Sequence, residues 1–403
     1  MMRSRLDALI CEQEHLETLT RKEIEAVQLK KLNRLLLREK NRAGFYRNLP
    51  EHLDRLSDLT SLPFTTEADL SRNAPSLLLT SQSEISRILS DATSGTTGLP
   101  KRVFYTDGDL ENTIRLYMAG LGELIFPGDT AMVCFPFSGP NGLGELIAEA
   151  IVRLGARPLK LGTSLCYGEL SAVLNMDRPT VYVGMPVPLL GLLRACGKKS
   201  LRRALVSGDA CPESVTHCCE ELLGTKLFPH YGSREMGMAG AITCPAHNGM
   251  HLRENHIIAE IVSPEGDPLL IGEMGELVIT TIGMEALPLI RYRTGDYTRI
   301  LPGLCPCGSE TLRLDRIRRD SLPVSMPRLD EAVFSLPGVV DYRVEKNGET
   351  LLFTVLTAKK ADAQSIASAI ESIFPEMQIS VSAREVSPHD TALYQGKRVM
   401  LPL

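Results

Sequence analysis

Thr93-Ser94-Gly95-Thr96-Thr97-Gly98-Leu99-Pro100-Lys101 gathers hydroxyls, flexible backbone and one cation into nine consecutive positions. Glycines at 95 and 98 let successive N–H groups turn inward without a Cβ clash. The hydroxyls of Thr93, Ser94, Thr96 and Thr97 add donors, and Lys101 supplies positive charge. The combination suits phosphate. A strand-like run, Glu84-Ile85-Ser86-Arg87-Ile88-Leu89, precedes it, and another, Arg102-Val103-Phe104-Tyr105, follows. A Ser/Thr/Gly loop between two strands differs from the Walker arrangement, which needs G-x-x-x-x-G-K-[ST] at the opening of a helix, and no such string occurs. Taken alone, the loop also reads as a solvated hairpin turn.

Outward from the loop, apolar runs alternate with helical stretches: strand 130–134, helix 142–154, strand 157–161, strand 180–183, helix 189–196, strand 203–207 and helix 212–223. Such alternation means a covered, largely parallel sheet. Asp109 is the expected cap of a helix after Tyr105-Thr106-Asp107-Gly108. Beyond Tyr231, strands at 257–262 and 276–281 and a turn at Pro264-Glu265-Gly266-Asp267 read as an antiparallel or barrel-like portion. Near the start, Leu6, Leu9 and Ile10, then Ile24, Val27, Leu29, Leu32, Leu35 and Leu36, recur at helical spacing and predict packing helices. A boundary is expected at Asp320. Past it, helix 328–336, strands 340–346 and 351–357, helix 362–374 and strand 378–384 form a compact module. The expected class is α/β: a large multi-layer N-terminal domain, 1–319, with mostly parallel covered sheets plus a barrel-like β portion, and a small mobile α+β C-terminal domain, 320–403.

The 403-residue chain is long enough for a large core and a second small one. A net charge of -5, with basic residues scattered, leaves no electrostatic footprint for nucleic acid. The first forty residues are charged every few positions, unlike a signal peptide, and no segment is apolar enough to span a bilayer, so no membrane partner is expected. Ten cysteines in a chain this long read as reduced thiols and metal ligands, not as a disulfide framework. The expected compartment is the cytoplasm.

TSGTTGLPK resembles the phosphate-binding signature of the adenylate-forming superfamily, and further matches lie in the expected order. Pro63-Phe64-Thr65-Thr66-Glu67-Ala68-Asp69-Leu70 is similar to the PFTTKxDL segment of the phenylacetate-CoA ligase and coenzyme F390 synthetase branch, with Glu67 where that branch often has Lys. His230-Tyr231-Gly232-Ser233-Arg234-Glu235 resembles YGxTE. Gly275-Glu276-Leu277-Val278-Ile279-Thr280-Thr281 resembles GELVxTT, and Pro288-Leu289-Ile290-Arg291-Tyr292-Arg293-Thr294-Gly295-Asp296 resembles PLIRYRTGD. Gly396-Lys397-Arg398-Val399 is similar to the terminal GK segment.

The resemblance implies an enzyme that joins a carboxylic acid to the α-phosphate of ATP and passes the acyl group to coenzyme A. It implies that 93–98 wrap the β- and γ-phosphates with Lys101, and that Glu235 holds Mg²⁺, a hard ion suited to carboxylate and phosphate oxygens. Tyr231 would lie against adenine, Gly232 would admit the acyl carboxylate, and Ser207-Gly208-Asp209-Ala210 would form the second adenine-binding segment. Asp296 would accept both ribose hydroxyls. Leu314-Asp315-Arg316-Ile317-Arg318-Arg319-Asp320 aligns with GRxDD in two ways, so Arg316 and Arg319 both fit the ribose arginine, and Asp320 is the hinge in either case. Lys397 would reach the carboxylate and α-phosphate when the terminal module closes. Arg234 replaces the usual Thr or Ser of YGxTE. The missing hydroxyl is supplied by Ser233, or Arg234 itself contacts phosphate, or the activity differs.

Cysteine and histidine form a second constellation. Cys244, His247 and His251 follow the YGSREMG segment, and Cys305-Pro306-Cys307-Gly308 follows RYRTGD. Cys244, one His, Cys305 and Cys307 could close a tetrahedral zinc site with no open position. Gly249-Met250-His251 resembles the GLH-like segment of some phenylacetate-CoA ligase-like proteins and favours His251. Reduced buried thiols are the alternative.

The expected acid is an aromatic or medium aliphatic monocarboxylate, since 135–144 and 236–241, the expected pocket lining, carry no charged anchor. The acceptor stays open between coenzyme A, a carrier-protein thiol and a hydroxyl that receives AMP, and a non-catalytic nucleotide-binding relative is a further reading. A homodimer also stays open.

Overall fold

The computed structural model describes residues 4–42, 44–91, 101–318 and 324–402. Thr93, Ser94, Gly95, Thr96, Thr97 and Gly98 of the phosphate loop, and Arg319 and Asp320, lie outside the described residues. The chain divides into two compact units, each assembled from two stretches: Met1–Glu123 with His230–Ile317, and Leu124–Pro229 with Arg318–Leu403. This is a different partition from 1–319 and 320–403, and its physical basis is a core shared within the second unit.

In that second unit, strands Arg157–Lys160, Thr130–Cys134, Val181–Gly184 and Arg203–Val206 lie side by side in this order, all parallel. Phe228 and Pro229 extend the array beside Leu205 and Val206. Ala131, Met132, Val133, Val181, Tyr182 and Val183 are almost fully buried, as unbroken apolar strands covered on both faces must be. Helices Leu143–Arg153, Tyr167–Met176, Pro186–Cys196 and Glu213–Leu223 supply the cover. The sequence reading did not anticipate Tyr167–Met176, because only Tyr167 and Leu174 are buried and no apolar period results.

The terminal part of this unit is a four-stranded sheet in the order Gln378–Glu385, Thr350–Thr357, Val339–Asn347, Leu401–Pro402. Its central pair is antiparallel and the outer pairings are parallel. Helix Met326–Phe334 presents Leu329, Val333 and Phe334 to a core that also holds Leu189, Leu193, Val215 and Cys219. Two glycines permit close contact here. A Cβ on Gly191 would lie 2.7 Å from the Tyr167 hydroxyl and 3.2 Å from the Val340 carbonyl, and one on Gly168 would lie 2.9 Å from the Pro388 carbonyl. The Tyr167 and Gly168 N–H groups, orphans of a helix start, donate to the Asp390 and Pro388 carbonyls.

In the first unit, helices Arg5–Glu14, Arg21–Arg42, Glu67–Leu77 and Asp107–Leu121 accompany the pair Arg87–Asp91 and Lys101–Tyr105, which is antiparallel. Strands Ile257–Val262, Gly275–Thr281 and Tyr292–Thr298 form an antiparallel sheet. A second antiparallel set runs from His230 and Tyr231 through Ala241–Thr243 and Met250–Leu252 to Arg313–Leu314. The helix at 107 is capped by Thr106, not by Asp109. Asp109 occupies the third helical position, where its carboxylate accepts from the Thr106 N–H in a capping box and, buried, from the Glu285 and Ala286 N–H groups.

Candidate active site

The strand Tyr292–Thr298 delivers Asp296 into the interior of the first unit, where it is 1% exposed. The turn at Gly295, with φ of 70°, and the Thr294 hydroxyl, which accepts from the Asp296 N–H at 3.1 Å, fix the carboxylate's direction. The Tyr231 hydroxyl donates to Asp296 Oδ2 at 2.7 Å, joining the YGxTE-like and RYRTGD segments. The RYRTGD segment is itself anchored to the PFTT segment. Arg291, at φ of 49°, stacks 4.1 Å from the Phe64 ring centroid, donates to the Thr60 and Leu62 carbonyls and pairs with Glu260 at 2.9 Å.

Glu235 sits in the single turn Arg234–Met236 and is 4% exposed. Lys101 Nζ lies 2.5 Å from Glu235 Oε1 and 3.6 Å from Glu67 Oε1, and the Tyr292 hydroxyl approaches Glu235 Oε1 at 3.4 Å. Burial alone would push the Glu235 carboxyl up. The Lys101 charge and hydrogen bond outweigh it and hold the group below its ordinary range. The Ser233 hydroxyl is shielded from solvent and meets no well-aligned hydrogen-bond partner among the described residues, although it stands close enough to Glu235 to favour the charged form. Gly232 cannot be anything else, since a Cβ there would fall 2.5 Å from the Met238 carbonyl. Tyr105 steadies Arg234 by donating to its carbonyl at 2.7 Å. Met236, Ala239 and Ala241, expected at a pocket wall, are buried in this unit.

In the second unit, Ser207, Gly208 and Asp209 leave the C-terminal end of strand Arg203–Val206, the end at which parallel sheets place ligands. Gly208 has φ of 88° and lies against the Phe135 ring. Asp209 Oδ1 accepts from the Ala210 N–H at 2.8 Å, and Oδ2 from the Arg398 N–H at 2.9 Å. Lys397, beside Arg398, is exposed. Arg316, in the first unit, is half-buried and donates its N–H to Asp315. Thus Lys101 meets Glu235 and Tyr231 meets Asp296 in one unit, whereas Asp209 and Lys397 belong to the other.

The sulfur and nitrogen atoms of Cys244, His251, Cys305 and Cys307 lie within 4.8 Å of one another. Register explains it. His251 stands between Ile242 and Arg313, Cys244 follows Ala241–Thr243, and the 305–307 loop leads into Arg313–Leu314. Cys244 Sγ is 3.7 Å from Cys305 Sγ, and Cys307 Sγ is 3.5 Å from His251 Nε2. A tetrahedral zinc with ~2.3 Å sulfur and ~2.05 Å nitrogen bonds has ligand–ligand edges of about 3.8 and 3.6 Å. The donors therefore fit zinc. His251 Nδ1 bonds the Thr311 hydroxyl at 2.7 Å, which bonds Ser309, which donates to Asp7 at 2.6 Å, an orienting chain of the kind that fixes a ligand imidazole.

Sequence reasoning noted Glu67 only as a departure and did not see Tyr292, Asp330, Asp341 or Arg398. The signal for Glu67 was its position in the PFTT segment. For the buried Asp330–Arg398–Asp341 group, drawn from a helix, the chain beyond Lys397 and a strand, no local pattern exists.

The AMP-binding enzyme family matches residues 88–285. Phenylacetate-coenzyme A ligase of Thermus thermophilus is 31% identical over 76% of this chain and 72% of its own length, and that of Escherichia coli is 32% identical over 75% and 72%. Among solved structures, 2-hydroxyisobutyryl-CoA ligase in the postadenylation state is similar in fold, with a TM-score of 0.77 and 20% identity over 96% of this chain and 90% of that one. The chain belongs to the phenylacetate-coenzyme A ligase branch of the adenylate-forming enzymes and is an AMP-forming acyl-CoA ligase, making an acyl-adenylate from ATP and then the coenzyme A thioester.

Proposed function

We propose that the acid activated is an aromatic monocarboxylate of the phenylacetate class, with a medium aliphatic acid next in preference. The names of the relatives, phenylacetate-coenzyme A ligases, and the uncharged character of 135–144 and 236–241, the stretches expected to line the acid pocket, support this reading. In it, Asp296 receives the ribose hydroxyls with Arg316 or Arg319, Tyr231 flanks adenine with Ser207, Gly208 and Asp209, and 93–98 with Lys101 cradle the terminal phosphates. Glu235 holds Mg²⁺, which when bound neutralises phosphate charge. Ser233 or Arg234 contacts the α-phosphate, and Lys397 brings a cation to the two reacting anions. The observation that carries these roles furthest is the buried Lys101–Glu235 pair in the same unit as the Tyr231–Asp296 bond.

Residues 320–403 act in this reading as the small moving module, with Asp320 as its hinge. Cys244, His251, Cys305 and Cys307 hold a structural zinc, whose four protein ligands leave no position for substrate. The ten free cysteines suit a reducing compartment, and we place the enzyme in the cytoplasm. No helix among the described residues is long and apolar enough to cross a membrane.

A panel of carboxylic acids tests the substrate. Aryl-acetic or benzoic acids should drive both pyrophosphate release and coenzyme A consumption. Activity confined to small hydroxy or dicarboxylic acids would exclude the aromatic class, and pyrophosphate release without coenzyme A consumption would move the acceptor elsewhere.

A further inference from the structure

Arg398 is 8% exposed, and every part of it is held. Its Nε donates to Asp330 Oδ1 at 2.9 Å, Nη1 to Asp341 Oδ1 at 2.8 Å and Nη2 to the Tyr342 carbonyl at 2.9 Å. The guanidinium also stacks on Tyr342 at 4.5 Å, Tyr394 at 4.6 Å and Phe334 at 5.2 Å from the ring centroids. Three aromatic faces and a planar fork of donors suit arginine alone. The neighbouring chain is tied to the same group, since the Leu393 N–H donates to Asp341 Oδ2 at 2.7 Å and the Tyr394 hydroxyl to the Val399 carbonyl at 2.9 Å. The backbone of Arg398 then reaches a separate stretch of the unit, donating its N–H to Asp209 Oδ2 at 2.9 Å.

A buried arginine among two carboxylates is a costly way to fold a tail, because apolar packing would serve stability at least as well. Its geometry offers something apolar packing does not, a directional link from the module's helix and strand to the segment at 207–210. The exposed residue immediately before it is Lys397.

We propose that Arg398 is a positioning residue for adenylation: its side chain locks the terminal segment onto Asp330 and Asp341, its N–H docks that segment on Asp209, and together they fix the backbone from which Lys397 works. The proposal rests on the reading of Lys397 as the adenylation lysine. Asp209 thereby has a mechanical role besides any contact with nucleotide.

The test is a double-mutant cycle on the full chain, reading acid-dependent pyrophosphate release and, separately, thioester formation from preformed acyl-adenylate. Arg398→Lys keeps the charge but loses the fork. It should lower the adenylation kcat roughly tenfold or more, as displaced catalytic groups do, with the KM for ATP within about twofold. The thioester step should change less. In the Lys397→Ala background, the same substitution should add almost nothing, because the group it positions is gone. Equal slowing in both backgrounds would show a general structural role and overturn the proposal, as would a normal rate for Arg398→Lys beside a slow Lys397→Ala. A normal rate for Lys397→Ala would remove the lysine reading together with the positioning role. If Arg398→Lys does not fold, Asp341→Asn, which keeps the shape and loses the charge, takes its place in the cycle with the same expectations.

Discussion

Replacing Asp296 by Ala and, in parallel, by Asn should separate nucleotide binding from folding. The carboxylate is buried, and one lone pair of Oδ2 already accepts from Tyr231 at 2.7 Å. In the proposed role the same carboxylate accepts the two ribose hydroxyls when nucleotide binds. Hydrogen bonds to a charged partner contribute about 1.5–3 kcal/mol each, and water refills part of the gap in the mutant, so a net loss of about 2–3 kcal/mol is expected. That corresponds to a rise in the ATP Kd of roughly 30- to 150-fold. Asp296→Ala also strands the Tyr231 hydroxyl, at a cost of about 1–3 kcal/mol in folding stability. Asp296→Asn keeps an acceptor for Tyr231 and should lose nucleotide affinity with much less loss of stability. Titration calorimetry with a non-hydrolysable ATP analogue measures the first quantity and urea unfolding the second. An ATP Kd within twofold of the parent for a folded Asp296→Ala protein would refute the ribose assignment.

The purified protein should carry about one zinc per chain, and Cys305→Ser with Cys307→Ser should abolish it and lower thermal stability before catalysis suffers; metal analysis finding none would remove the site. Lys397→Ala should slow adenylation roughly a hundredfold or more while ATP binding holds and thioester formation from preformed acyl-adenylate suffers less; an unchanged adenylation rate would make Lys397 an ordinary surface residue. Arg291→Ala leaves the largely shielded Glu260 without its partner and should cost about 3 kcal/mol in urea unfolding, against less than 1 kcal/mol if the pair were solvated. Acid should erode the contribution of the buried histidines. Burial lowers His230 to about 4 and His256 well below its ordinary value, so on unfolding each of the two takes up a proton as pH falls below 6.5, and their joint contribution to stability drops by up to about 2.7 kcal/mol per pH unit. Asp330 opposes this. Burial raises its carboxyl to about 6 although Arg398 pulls it down, so its contribution grows as pH falls from 6 to 4, and the carboxyls of Glu39, Asp109, Glu123, Glu254 and Glu260, which burial also raises, act in the same sense. The difference in urea midpoint between the parent and His230→Asn should change between pH 6.5 and 4.5; a difference that stays constant would contradict the neutral buried imidazole.

Much of this was legible in the residues. Unbroken apolar runs such as Val181-Tyr182-Val183 can only be covered strands, and Asp296 and Glu235 stand in strings whose chemistry is carried by neighbours in sequence. The zinc-like quartet could be guessed from residue type, but only the register of His251 between Ile242 and Arg313 brings it together. What escaped is nonlocal or weakly patterned. Asp330, Asp341 and Arg398 come from separate elements, and a lone Asp in a helix reads as solvated surface. Helix Tyr167–Met176 covers the sheet with too few buried residues to show a period, and Asp109 reads as a cap until its bonds to Glu285 and Ala286 are seen. The two-unit division was illegible for the same reason, since each unit pairs stretches far apart in the chain.

The core of the second unit has a consequence for how the protein is made. Leu189, Leu193, Val215 and Cys219 leave the ribosome early, while their covering residues Leu329, Val333, Phe334 and Phe374 follow much later. At about 5–20 residues per second, that apolar face waits roughly six to forty seconds for its lid. Throughout that interval the nascent chain offers a sticky surface to any other chain or chaperone nearby. A message cut short before codon 318 would therefore yield an aggregation-prone fragment instead of a smaller ligase.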